Sequence, residues 1–171
     1  MNGERELLGP AASRLPFTVY RSPFFSGGRL SQLTLGIVKP DAIETGKAGL
    51  IIAHLQREGF VMRAARLVRL TESQAGEFYA VHRGRPFYPD LVQFMTSGPC
   101  LAMALERADA VGHLRTVIGA TDPKEAAPGT VRKLYAESKG RNAIHASDSP
   151  ENAIREVGFF FAEGELAGLW K

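Results

Sequence analysis

The stretch Leu33-Thr34-Leu35-Gly36-Ile37-Val38-Lys39-Pro40-Asp41 is the segment from which the fold of this chain can be worked out. Residues 33–38 form a short, mostly apolar run, and the Lys-Pro-Asp sequence that follows closes it. We therefore predict a strand over residues 33–38. The elements that follow along the chain decide what kind of sheet this strand joins.

Strand and helix patterns alternate from this segment towards the C-terminus. A helix that contains Leu50 and Leu55 is ended by Gly59, and a capping box at Thr71 predicts a second helix that runs to about His82. Further strands are predicted over residues 60–70, 100–105 and 143–145, and further helices over residues 89–95, 108–118 and from Pro150 onwards. This order predicts an α/β protein with a ferredoxin-like βαββαβ sandwich, in which helices cover a four-stranded antiparallel sheet.

The first part of the chain differs from this pattern. Residues 1–31 contain several glycines and prolines and show no sustained apolar period. We expect a flexible N-terminal extension or an overlong gene start there, and a single domain over residues 32–171. A transit peptide is conceivable but is disfavoured by Glu4 and Glu6, and no signal-peptide apolar region is present because Gly9-Pro10 interrupts it.

The composition limits the cellular compartments and the classes of partner that are expected for this chain. The single cysteine, Cys100, excludes an intrachain disulfide and fits a reducing compartment, so a cytoplasmic location is expected. No run approaches the roughly 18 apolar residues of a membrane helix, and no membrane partner is expected. The net charge is +3, and the first 32 residues hold four arginines against two glutamates, which leaves +1 for the rest. Nucleic acid is therefore not expected as the main partner.

The nine residues from Arg141 to Ser149 contain the best candidate for chemistry. His145 ends a short apolar stretch and is surrounded by small and polar residues, with Asn142 and Arg141 just before it. Histidine can be a neutral nucleophile near pH 7, because its unperturbed pKa is about 6.5. Together with arginines elsewhere in the chain, this histidine suggests chemistry on phosphate.

Several familiar phosphate-binding motifs are absent from the sequence. The chain contains no G-x-x-x-x-G-K-[ST], no G-x-G-x-x-G and no protein-kinase catalytic loop. Any phosphate is therefore held by side chains, for which Lys39, Arg115, Arg132 and Thr121 are the candidates. Each of them taken singly is more often a solvated surface residue, so only the set as a whole favours phosphate binding.

Six blocks of this sequence together resemble the nucleoside diphosphate kinase family, in that family's order and spacing over roughly residues 32 to 166. They are Leu33–Asp41, Arg85–Tyr88, Met95–Pro99, Gly119–Pro123, Pro128–Arg132 and Asn142–Ser149. The resemblance implies transfer of the γ-phosphoryl group of a nucleoside triphosphate, usually ATP, to a nucleoside diphosphate. It also implies a ping-pong mechanism through a phosphohistidine, with broad base and sugar tolerance.

The matching positions imply a role for each site residue. His145 is the nucleophile, and Glu156 hydrogen-bonds the far nitrogen of its ring and so fixes the tautomer. Tyr79 orients Lys39 or the transferred group, and Phe87 stacks on the base, which needs only a π-face. The resemblance also implies two sets of residues that contact the nucleotide. The phosphates are contacted by Arg115, Arg132 and Thr121. The ribose hydroxyl and a phosphate are contacted by Lys39 and Asn142.

The resemblance also implies a cofactor and an assembly. Mg²⁺ is expected to bind through the substrate phosphates, without direct protein ligands. Asp148 could reach it through water or could cap the final helix, and the cap is favoured. A homo-oligomer, either a hexamer or a tetramer, is expected, with the loop that contains Pro128 at a subunit interface. The sequence does not decide between these two sizes or name the preferred nucleotide.

Three departures from the family pattern and one alternative function remain, and the mildest departure is Ala146, which stands where glycine is common. Lys133-Leu134 stands where the family often has Gly-Asp, so the local loop is expected to differ. Lys139 stands where an apolar residue often lies opposite the stacking phenylalanine, and its aliphatic stem could serve in its place. The alternative to an enzyme is a non-catalytic relative that binds nucleotides or a partner. The presence of the histidine and the arginines favours the enzyme.

Overall fold

The computed structural model describes residues 33–167. Its sheet has four antiparallel strands: β1 (Leu33–Val38), β2 (Val61–Val68), β3 (Cys100–Glu106) and β4 (Ile144–Ala146). Their order across the sheet is β2-β3-β1-β4, which puts β1 between two neighbours, and every residue of β1 is buried. The predicted four-stranded antiparallel sheet is confirmed. The predicted extension over residues 1–31 lies outside the described residues and stays a prediction.

Helices cover both faces of this sheet. In chain order they are α1 (Pro40–Glu44), α2 (Ala48–Arg57), α3 (Glu72–Phe78), α4 (Tyr88–Thr96), α5 (Ala110–Ile118), α6 (Val131–Tyr135), α7 (Pro150–Phe160) and α8 (Glu163–Ala167), with a 3₁₀ turn over Ala80–His82. Within the described range, none of these helices is long and apolar enough to cross a membrane.

Each face of the sheet packs against its own hydrophobic cluster. On one face, Leu55 of α2 and Leu114 of α5 pack in the cluster that contains Val38. On the other face, Phe78 and Phe160 pack in the cluster that contains Leu35 and Ile37. Because successive side chains of a strand point to opposite faces, the continuous apolar run of β1 contributes to both clusters. The predicted sandwich is therefore confirmed.

The differences from the prediction lie in short elements and in boundaries. Helices α1 and α6 were not predicted, because five residues are too few to show a helical period. Strand β4 was predicted over residues 143–145 but covers 144–146, because Ala143 has a φ of 67°, which no strand residue adopts. Strand β2 was predicted over residues 60–70 and is shorter at both ends.

Candidate active site

His145 lies in the middle of β4, opposite Ile37 of β1. Its neighbours Ile144 and Ala146 are buried, so the strand is anchored on both sides of the histidine, whose side chain remains 18% exposed. The imidazole ring packs edge-on against Phe78 at 5.3 Å between ring centroids. The sequence and the strand register thus hold one imidazole at the boundary between core and solvent.

Glu156 fixes the orientation of this ring. Its Oε2 atom lies 2.8 Å from Nε2 of His145, and its side chain is 7% exposed. It stands on the buried face of α7, which begins where Ser149 Oγ accepts a hydrogen bond from the backbone N–H of Asn152, with Pro150 following. When Nε2 carries the proton that faces the carboxylate, Nδ1 keeps its lone pair and is the nitrogen able to attack.

Ser147 connects this pair to the sheet. Its Oγ donates to Glu156 Oε2 at 2.8 Å and accepts a hydrogen bond from the backbone N–H of Leu35 at 3.2 Å. Ser147 is fully buried, so both partners are shielded from water. No role for this residue follows from the sequence. Its only sequence signal is a hydroxyl directly after an apolar strand, which is too common to point to a site.

Asp148 does not cap the final helix, and the prediction that it does is wrong. Its Oδ1 accepts a hydrogen bond from the side-chain amide of Asn152 at 2.6 Å, while the cap is made by Ser149. That hydrogen bond holds the pKa of the Asp148 carboxyl below its usual value, and the nearby charge of Arg115 acts in the same direction.

Lys39 and Asn142 meet at the end of β1. Lys39 Nζ donates to Asn142 Oδ1 at 2.7 Å, and Asn142 Nδ2 donates to the carbonyl of Lys139 at 2.8 Å. Burial lowers the pKa of Lys39 to about 8; the charge of Arg132 lowers it further and that of Asp41 opposes the shift. A cation that is poorly solvated and near a second cation is suited to accept an anionic ligand.

Two arginines supply the remaining positive charge that was predicted. Arg132, on α6, donates from Nη1 to the carbonyl of Gly119 and from Nη2 to that of Ile144, each at 2.9 Å. Burial, followed by the charge of Arg115, lowers the pKa of Arg132 to about 10. The Nε atom of Arg132 is buried and has no hydrogen-bond partner in the part of the chain that the structure describes. An anion between Arg132 and Arg115 would relieve this concentration of charge.

Thr121 lies in the loop over residues 119–129, and Lys133 lies just after this loop, on α6. Thr121 is exposed, with its hydroxyl available to a ligand. Lys133 Nζ donates to the carbonyls of Pro123 at 3.1 Å and Lys124 at 3.3 Å. The lysine that departs from the family pattern therefore ties this loop to α6, whose Arg132 already contacts Gly119 at the start of the loop.

A row of rings leads from the surface to His145. Phe87 is 51% exposed, its ring lies 5.4 Å from that of His82, and His82 stacks on Tyr79 at 6.3 Å. Tyr79 in turn packs edge-on against His145 at 5.8 Å. Burial raises the pKa of the Tyr79 hydroxyl, which has no hydrogen-bond partner among residues 33–167. The Tyr79 hydroxyl therefore makes no hydrogen bond to Lys39 in the described residues, and its alternative role of orienting the transferred group stays a prediction.

Comparisons with known proteins agree with this geometry. A family model described as nucleoside diphosphate kinase matches residues 32–166. A protein of Chlorobium luteolum named nucleoside diphosphate kinase is 59% identical over 133 residues, which cover 78% of this chain and 95% of that protein. A protein of the same name from Sorangium cellulosum is 54% identical over 134 residues, which cover 78% of this chain and 93% of that protein.

Two solved structures show the same arrangement of elements. The nucleoside diphosphate kinase of Aquifex aeolicus is 50% identical with a TM-score of 0.77, and the match covers 78% of this chain and 97% of that one. A halophilic nucleoside diphosphate kinase from Halobacterium salinarum, solved in complex with CDP, is 38% identical with a TM-score of 0.76. That match covers 82% of this chain and 99% of the other.

Proposed function

Because this chain belongs to the nucleoside diphosphate kinase family and is a nucleoside diphosphate kinase enzyme, we propose that it transfers the phosphoryl group through His145. The transfer has two half-reactions, and the same site serves the donor and then the acceptor. The observation that carries this proposal is the contact of 2.8 Å between Glu156 Oε2 and His145 Nε2, beside a group of cationic side chains.

In the first half-reaction, Nδ1 of His145 attacks the γ-phosphorus of a nucleoside triphosphate. The N–P bond forms with the nitrogen lone pair, while the bond from the γ-phosphorus to the bridging oxygen breaks and the nucleoside diphosphate leaves with that electron pair. In the second half-reaction, a terminal oxygen of another nucleoside diphosphate attacks the same phosphorus and the N–P bond breaks. Glu156 holds the proton of Nε2 throughout, so the ring stays oriented.

The cationic side chains stabilise the charge that spreads over the transferred group. Arg132 and Arg115 bind phosphate oxygens, with Thr121 donating from its loop. Lys39 and Asn142, already joined at 2.7 Å, bind a phosphate and the ribose hydroxyl. Tyr79 borders the transferred group, and its unpartnered hydroxyl is free to donate to it.

The nucleotide would bring Mg²⁺ into this site. Over residues 33–167, no group of three or more histidine, cysteine or acidic side chains could hold a metal ion. Because Mg²⁺ keeps several waters and binds through substrate phosphates and one or two carboxylates, a single carboxylate is enough. Asp148, which is exposed and interacts with the charge of Arg115, would hold the ion through water. Such an ion would neutralise phosphate charge.

Base recognition relies on stacking rather than on base-specific hydrogen bonds. Half-exposed Phe87 offers a ring face to purines and pyrimidines alike, and the stem of exposed Lys139 lies on the other side of the base. The CDP bound by the Halobacterium salinarum relative is a pyrimidine nucleotide and supports this tolerance. ATP is the usual donor.

The enzyme acts as a cytoplasmic homo-oligomer, a hexamer or a tetramer. Strand β2 is at an edge of the sheet and exposes Val61 (49%) and Leu67 (62%), which supports burial of this edge by another copy of the chain. The free, buried thiol of Cys100 supports a reducing compartment.

Labelling with γ-labelled ATP and Mg²⁺ tests this proposal. We expect a phosphoprotein that is labile in acid and stable in alkali, and we expect none in His145→Asn. His113→Asn, which changes a histidine of α5 beside Glu58, is the control and should label like the wild type. A labelled His145→Asn protein would put the phosphoryl group on another residue and overturn the assignment.

A further inference from the structure

Ala143 has a backbone conformation that an L-amino acid rarely adopts. Its φ is 67°, in the left-handed region that favours glycine, and its side chain is fully buried. It stands between Asn142 and the first residue of β4, two positions before His145. Something outside this residue must hold it there, because alanine itself prefers other conformations.

The segment that holds Ala143 is the end of β1 and the start of α1. Asp41 Oδ2 accepts a hydrogen bond from the Ala143 backbone N–H at 3.0 Å, and the Lys39 backbone N–H donates to the Ala143 carbonyl at 2.9 Å. A third bond joins the Lys39 ammonium to Asn142 Oδ1 at 2.7 Å. Both backbone groups of the strained residue are thus satisfied by Lys39 and Asp41.

Asp41 is buried, with 3% of its surface exposed, and its Oδ1 has no hydrogen-bond partner among the described residues. Burial of a carboxylate costs free energy unless its charge is paired or hydrogen-bonded. Among the described residues, the backbone N–H of Ala143 donates the hydrogen bond that this carboxylate accepts. The charge of the Asp41 carboxylate also favours the ammonium form of Lys39.

We propose that Asp41 is a positioning residue for phosphoryl transfer, because it holds Ala143 in the left-handed conformation from which β4 sets His145 against Glu156. Strand β4 is three residues long and pairs with β1 at three positions, so its own ladder restrains it little. Besides that ladder, Arg132 holds the strand through the Ile144 carbonyl, and the Ile144 N–H donates to the Asn142 carbonyl at 2.8 Å across Ala143. The role of Asp41 rests on the proposed route through His145.

A double-mutant cycle between positions 41 and 143 tests this proposal. Glycine adopts positive φ without a steric cost, so Ala143→Gly removes the need for the Asp41 bond. With alanine kept at position 143, we expect Asp41→Ala to lower the single-turnover rate of His145 phosphorylation at saturating ATP about tenfold or more, because small misplacements of reacting groups are costly. In the Ala143→Gly background, the same change should cost about threefold or less.

Asp41→Asn gives a second cycle if the alanine variant does not fold, because it keeps the size of the side chain and one acceptor oxygen. A neutral acceptor is weaker than a charged one, so we expect about a fivefold loss in the wild-type background and little loss in the Ala143→Gly background. Ile51→Val, in the core on α2, is the stability control and should lower the melting temperature without changing the rate. An equal loss in both backgrounds, or no loss, would overturn the proposal.

The cycle is also measured in kcat/KM for the overall reaction, which keeps the two proposals separable. A wild-type protein that turns over but is never labelled on His145 would refute the route through His145, and with it the positioning role. A labelled wild type with no coupling between positions 41 and 143 would refute the positioning role alone.

Discussion

Glu156 Oε2 lies 2.8 Å from His145 Nε2 and also 2.8 Å from Ser147 Oγ. One oxygen of a buried carboxylate therefore serves both the imidazole and a hydroxyl that is bound to the central strand. The orientation of the nucleophile is thereby tied to the core of the sheet.

Removal of Glu156 should slow phosphoryl transfer more than it lowers nucleotide affinity. In Glu156→Ala, the ring of His145 loses the partner that fixes its tautomer and angle, and we expect the phosphorylation rate to fall roughly 10- to 100-fold. Glu156→Gln keeps an acceptor and should lose less. Single-turnover labelling measures the phosphorylation rate of both variants. The control is Glu151→Ala, on the exposed part of the same helix. Equal rates in Glu156→Ala and the control would contradict the role.

Ser147→Ala should destabilise the protein. The change removes the acceptor of the buried Leu35 N–H and a donor to Glu156, and an unsatisfied buried polar group costs about 1–3 kcal/mol. Urea denaturation measures the free energy of unfolding. Ser138→Ala removes an acceptor of the exposed Arg141 N–H and should change stability by no more than about 0.5 kcal/mol. The same small effect at both serines would show that the buried hydrogen bonds of Ser147 do not contribute to the free energy of unfolding.

The pH dependence of kcat/KM should show an alkaline limb near pH 8. Lys39 binds phosphate only as the ammonium ion, and burial lowers its pKa to about 8, with Arg132 adding to the shift and Asp41 opposing it. In Lys39→Arg the cation persists to higher pH, so the limb should move upwards even where the maximum activity is reduced. An unchanged limb in that variant would assign it to another group.

The same shift has a consequence for stability with a defined sign. The folded-state pKa of Lys39 lies below the ordinary value of 10.5 for a free lysine side chain, so the unfolded chain binds more protons between about pH 8 and pH 10.5. The contribution of Lys39 to the free energy of unfolding therefore rises with pH across this window. Comparison of wild type and Lys39→Arg by denaturation at about pH 7 and about pH 9.5 measures that contribution.

Loss of the Phe87 ring should weaken the binding of nucleotides of every base type to a similar extent. Stacking on an aromatic ring is worth about 1–3 kcal/mol per base, so Phe87→Ala should raise KM for nucleoside diphosphates roughly tenfold. Val81→Ala, which changes an exposed apolar residue nearby in the chain, is the control. A rise confined to purines or to pyrimidines would indicate base-specific contacts instead of stacking.

Lys133→Ala should loosen the loop that carries Thr121. The lysine donates two hydrogen bonds to loop carbonyls, but both are exposed, and such bonds are worth about 0.5–1.5 kcal/mol each. We expect KM for the nucleoside triphosphate to rise roughly two- to fivefold with kcat little changed. Lys124→Ala removes a charge from the same loop and leaves both carbonyls in place, so it should not reproduce the effect.

The elements that the sequence could predict are those with a local signature. The apolar run of β1, the capping box at Thr71 and the Ser149-Pro150 start of α7 each carry their own chemistry, and all three lie where predicted. Helix α6 escaped prediction because its five residues complete little more than one turn.

The parts of the site that could not be predicted depend on distant residues. Nothing in the sequence around Ala143 demands a positive φ, which is accompanied by a hydrogen bond to Asp41, 102 positions away. Ser147 acquires its importance from Leu35, 112 positions away. The sequence around His145 suggests chemistry on phosphate, but the specific roles of His145 and Glu156 follow only from the family resemblance, since a helical glutamate carries no such information by itself.

The pairing of β4 with β1 has a consequence for synthesis on the ribosome. Strand β1 emerges early, yet one of its two edges stays open until β4, more than 100 positions later, has been made. Until then a nascent chain exposes an apolar strand edge, a surface that invites wrong pairing with other chains. Synthesis of β4 pairs Gly36, Ile37 and Val38 of that edge and brings His145 into the sheet in the same step, so a chain that ends before β4 also lacks the nucleophile.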